Sequence, residues 1–102
     1  MQDETTVGCC RYKHTPRSEE SLRLLQNRLN RISGQLNGIR GMLEENRYCG
    51  DILTQVAAAE SALQAFGYAV MQEHLHTCVT EALARGDESI LDEAVELMKK
   101  LR

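Results

Sequence analysis

The chain contains no tryptophan and a single phenylalanine, Phe66, so its apolar packing has to come from aliphatic side chains. It has one proline, Pro16, close to the N-terminus, and nothing after that position would break a helix. No apolar run approaches the ~20 residues of a membrane span. The opening stretch MQDETTVG is polar and acidic rather than secretory in character, so a soluble, cytoplasmic protein without a membrane partner is expected. There is no Ser-His-Asp order, glycine-rich phosphate loop or Cys-x-x-Cys pair, and these absences argue against an enzyme. The sequence also lacks an internal repeat, and 102 residues suit one domain.

The clearest positive signal is helical periodicity. Residues 1–17 read as a flexible polar tail, and 18–102 as a single helical domain. Ser18 offers an N-cap, and Glu19 and Glu20 suit the first turn after it. Leu22, Leu25, Leu29, Ile32, Leu36, Ile39 and Leu43 then alternate spacings of three and four, the stripe of a bundle helix. The stretch ENRYCGD interrupts it. A second stripe follows with Ile52, Val56, Ala59, Leu63, Phe66 and Val70, and its next two positions are His74 and Cys78. Gly86 and Asp87 predict a C′ residue and a following N-cap. A short third helix carries Leu91, Ala94, Met98 and Leu101. Two long rods and one short helix cannot wrap a single core. The pattern therefore predicts an all-α, three-helix protomer that forms an antiparallel four-helix-bundle homodimer.

Charge is distributed unevenly. Between Arg11 and Arg40 there are seven basic residues and only two acids, Glu19 and Glu20; from Asp51 onward acids dominate. A basic first half on a chain of net charge −3 points to a polyanionic partner on one face.

His74 and Cys78, at i and i+4, project from one helix face at a spacing that suits two ligands of one ion. Cys49 begins the same helix, roughly 37 Å away at 1.5 Å per residue, so it cannot join them within one chain. In an antiparallel dimer the start of one such helix lies beside the end of the other. Cys49 of one protomer would then meet His74 and Cys78 of its partner. Two thiolates and an imidazole are a soft, three-coordinate set that suits Cu(I), whereas Zn(II) would want a fourth ligand.

The segments NRLNRISGQLNGIRGMLEENRYCGDILTQVAAAESAL and EHLHTCVTEALARGD resemble the copper-sensing repressors of the CsoR/RcnR family, over about Leu22 to Leu101. That resemblance implies an all-helical dimer pairing into a homotetramer. It also implies a repressor that holds operator double-stranded DNA when metal-free and lets go when Cu(I) binds. Within it the metal ligands fall on Cys49, His74 and Cys78, and supporting residues fall on Tyr48 and Glu93. The DNA-contacting candidates are Arg28, Arg31 and Gln35, with Arg23, Arg17 and Lys13 in support. The resemblance also admits a thiol-based reading, in which Cys49 and Cys78 sense persulfide or oxidant. Cys9 and Cys10, with His14 nearby, are candidate accessory thiols, whereas His76 points away from the ligand face.

Overall fold

The computed structural model describes Lys13 and residues 15–101. Cys9, Cys10 and His14 lie outside them. The first helix, α1 (Glu19–Glu44), starts where the sequence predicts. Ser18 is extended, and its hydroxyl accepts the Ser21 N–H at 3.0 Å. This satisfies one of the amide groups that a helix start leaves unpaired. The helix stops at Glu45–Asn46. Asn46 takes the left-handed conformation (φ 56°), and the Arg47 N–H reaches back to the Met42 carbonyl at 2.9 Å. Asparagine tolerates that conformation, and the bond closes the helix end.

The second rod has three parts: α2 (Cys49–His74), a π turn (Leu75–Val79) and α3 (Thr80–Ala84). The junction residues keep right-handed helical angles, so the rod runs on without a break. At 1.5 Å per residue, 49–84 spans roughly 54 Å. That accounts for the 56 Å long axis of the molecule. Gly86 ends the rod at φ 84°, with the Asp87 N–H on the Ala82 carbonyl at 2.9 Å, as the predicted C′ glycine requires. A side-chain substitution at Gly86 would be strained by that angle. The last helix, α4 (Ser89–Lys99), has Glu88 rather than Asp87 as its formal cap. Asp87 nonetheless accepts the Ser89 N–H and hydroxyl.

Among the described residues, a closed core forms at one end of the molecule. Met71, Val79, Ala82, Ile90 and Ala94 are buried together, with Leu97 and Leu101 packed against them. They belong to the C-terminal half of the second rod and to α4, which folds back over it. Leu101 covers Gly67 so closely that a Cβ there would come within 2.6 Å of its side chain. Along the rest of the hairpin the α1 stripe is open. Ile32 is its one buried member, while Leu36 and Leu43 are 56% and 61% exposed. An apolar stripe left this bare is what the sequence leads one to expect of a chain that associates with copies of itself.

The π turn alters one expectation. Continued as a plain α-helix, Val70, His74 and Cys78 would share one face with the core. The π turn accommodates an extra residue, shifting the register after it. Val79, within the shifted turn, faces the core together with Met71 and Ala82, and Val70, His74 and Cys78 lie half-buried at its margin. Two hydroxyls donate to carbonyls around this turn, Thr77 to Glu73 in α2 at 2.8 Å and Thr80 in α3 to Leu75 at 3.1 Å.

Candidate metal centre

His74 is the last residue of α2, and Cys78 lies inside the π turn. Both line a cavity of about 360 Å³ whose apolar wall includes Phe66, Val70 and Leu97. The His74 Nε2 atom is buried and has no hydrogen-bond partner among the described residues. A buried polar atom left without a partner costs about 1–3 kcal/mol, so its persistence beside a thiol needs a reason. The thiol of Cys78 is free and half-buried. An unpartnered ring nitrogen and a soft sulfur, on two residues that line one cavity, are two members of a candidate ligand set.

The described residues of the same chain do not supply the rest of that set. Among the described residues, no three His, Cys, Asp or Glu side chains converge as a metal-binding group. Cys49 is exposed at the first residue of α2, at the opposite end of the rod from His74. Tyr48 is its immediate neighbour and is 75% exposed, with its ring over Gly50. Glu93 is half-buried on α4 and does not line the cavity that holds His74 and Cys78.

A second network at this site is absent from the sequence reading. The extended segment before α1 lies along the end of the second rod. The Lys13 Nζ donates to the Cys78 Sγ at 3.3 Å and to the Thr77 hydroxyl at 3.0 Å. It also stands 3.9 Å from the Glu73 carboxylate. The Thr15 hydroxyl donates to Glu81. Arg17 pairs with Glu73 at 2.6 Å, and the Ser21 hydroxyl donates to the same carboxylate at 2.6 Å. The signal was present in the residues. Lys13, Thr15 and Arg17 alternate as an extended chain does, and Glu73, Thr77 and Glu81 recur every fourth residue. Two of the six basic or amide side chains singled out for DNA, Lys13 and Arg17, are therefore engaged with the metal-site end of α2.

Three of the remaining four gather in one place. Arg28, Arg31 and Gln35 line a groove of about 370 Å³ between α1 and α2, floored by Ile32, Ala62 and Ala65. Both arginines are exposed, and the Gln35 Oε1 is buried without a partner among the described residues. Arg23 is exposed on α1. Among the described residues no helix is long and apolar enough to cross a membrane.

The profile of a family described as metal-sensitive transcriptional repressor matches residues 22–100. The copper-sensing transcriptional repressor CsoR of Bacillus subtilis is 40% identical over 77 residues, which are 74% of this chain and 76% of the relative. The copper-sensing repressor RicR of Mycobacterium tuberculosis is 49% identical over 59 residues, 58% of this chain and 62% of that protein. A crystal structure of the copper-sensing repressor CsoR with Cu(I) from Geobacillus thermodenitrificans superposes with a TM-score of 0.80 at 37% identity. It covers 86% of this chain and 93% of that one. The nickel-responsive transcriptional regulator InrS gives a TM-score of 0.71 at 38% identity, over 86% of this chain and 100% of that one. In sequence profile, identity and backbone alike, this chain belongs to the metal-sensitive transcriptional repressor family.

Proposed function

We propose that this protein is a copper-responsive repressor that holds operator DNA when metal-free and releases it when Cu(I) binds between subunits. The observation that carries the reading is the buried, unpartnered His74 Nε2 beside the Cys78 thiol. Cys49 of one protomer and His74 and Cys78 of its partner would hold the ion in an antiparallel dimer. Bound there, the ion would supply a cross-link between chains that deprotonates both thiols. Two soft sulfurs and one nitrogen suit Cu(I), and the copper sensors among the similar proteins support that ion. A switch using Cys49 and Cys78 alone would leave the His74 nitrogen without a role.

The chain's own residues supply the remaining steps. Tyr48, beside Cys49, and Glu93, on α4, would orient the His74 ring by hydrogen bonds across the subunit boundary. Arg28, Arg31 and Gln35, with Arg23, would meet the DNA, the arginines on phosphates in a strongly salt-dependent contact. Arg17 and Lys13 could join that surface only by leaving Glu73 and Cys78. The open α1 stripe supports association into a dimer and then a tetramer, which sets the spacing of the basic faces. Metal and DNA must oppose each other reciprocally: whatever factor copper takes from operator affinity, operator takes from copper affinity.

The test combines X-ray absorption of the Cu(I)-loaded protein with operator binding in the presence and absence of metal, under anaerobic conditions. Two sulfurs and one nitrogen around copper, with loss of operator binding on loading, are expected. A copper shell without nitrogen, or release by persulfide but not by copper, overturns the proposal.

A further inference from the structure

The wall of the candidate metal centre is cationic. Lys13, Arg17 and Lys100 line the cavity shared by His74 and Cys78, and Glu73 is the one carboxylate among the lining residues. Glu73 is already engaged by the Arg17 guanidinium at 2.6 Å and by the Ser21 hydroxyl. Lys13 is the cation in contact with a proposed ligand: its Nζ stands 3.3 Å from the Cys78 Sγ. The side chain is only 18% exposed, and the Thr77 hydroxyl at 3.0 Å fixes its head. Water therefore screens this charge less than it would a surface lysine.

We infer that Lys13 is a selectivity determinant of this centre, its fixed positive charge favouring a monovalent ion over a divalent one at Cys78. The inference rests on the copper-site reading above and adds a cause for the choice of ion that the ligands alone do not give. Any ion taken by the Cys78 sulfur meets the Lys13 charge at close range. Repulsion scales with the charge on the ion, so a dication bears twice what a monocation bears. A unit charge within about 8 Å, partly screened, changes binding by on the order of tenfold per unit of ion charge. Lys13 also fills space on one side of the sulfur, which opposes a fourth donor from that direction. Four-coordinate ions such as Zn(II) depend on such a donor. Lys13 is thus a positioning and selectivity residue and not itself a ligand.

The experiment measures Cu(I) and Zn(II) affinities of the full-length chain by competition with chelators, anaerobically and without DNA. Wild type, Lys13→Met, Lys13→Gln and Lys13→Arg are compared. Either ion displaces two thiol protons, so Cu(I) lowers the charge of the site by one and Zn(II) leaves it unchanged; the two neutral variants should bind Cu(I) about tenfold less tightly and Zn(II) about as tightly as before, a tenfold change in their ratio. Lys13→Arg keeps the charge and should keep the wild-type ratio. A ratio in both neutral variants within about twofold of a copper-binding wild type, against the tenfold expected from Coulomb repulsion, overturns the inference. Failure of the wild type to bind Cu(I) in a manner dependent on Cys78 overturns the copper-site reading itself. That result is seen before any Lys13 variant is made, so the two failures are distinct.

Discussion

Replacing His74 by leucine should stabilise the metal-free protein while abolishing its response to copper. The His74 Nε2 is buried and unpartnered, and an unmet polar group of that kind costs about 1–3 kcal/mol. The residue as a whole is half-buried at the margin of the Met71–Val79 core. The lower end of the range applies, so a gain of about 1 kcal/mol is expected for a leucine of similar size. Urea unfolding of the reduced, metal-free protein measures it, at one fixed protomer concentration because association contributes to stability. Added Cu(I) gives the opposite ranking. At a hundred times its dissociation constant, a ligand stabilises the state it binds by about 2.7 kcal/mol. Wild type should gain on that order, and His74→Leu far less. A metal-free variant destabilised by more than about 1 kcal/mol would mean that the imidazole nitrogen has a partner in the assembled protein. The reasoning from an unmet nitrogen would then be wrong. Equal protection of both proteins by copper would remove His74 from the site.

Three further outcomes follow from the same geometry. Arg17→Ala and Glu73→Ala should each destabilise the protein. Their double-mutant cycle should show a coupling of about 1 kcal/mol, because Glu73 is well shielded while Arg17 is a third exposed; additive effects would show that the segment before α1 does not hold to α2 in solution. Arg31→Ala should weaken operator binding and lower the slope of log affinity against log salt by about 0.9, as loss of one phosphate contact requires; an unchanged slope in a titration series would place Arg31 off the DNA. Leu36→Lys, in the middle of the open α1 stripe, should shift sedimentation toward smaller species; an unchanged oligomer would mean that this stripe is not the contact between copies.

Much of the fold was legible because helices announce themselves locally. The Leu22–Leu43 spacing, the Ser18 cap and the Gly86 terminator are each set by residues a few positions apart, and each appears where the sequence predicts. The opposition between His74–Cys78 and Cys49 was legible for the same reason, since helical rise alone puts them at opposite ends of a rod. The π turn was not legible. Val79 inside it and Ala82 after it pack with Ile90 and Ala94, contacts between separate elements that periodicity does not encode.

By itself, then, the sequence determined three helices, a stripe too long for one chain to cover and the placing of the candidate ligands Cys49 and His74–Cys78 at opposite ends of one rod. Each is a consequence of spacing along a single helix. Tertiary structure alone decided that the His74 nitrogen is buried without a partner, that Arg28, Arg31 and Gln35 share a groove, and that Lys13 lies against the Cys78 sulfur. Those facts depend on where separate segments come to rest against one another. That resting place is a balance of packing and charge over the whole chain, which no local pattern contains.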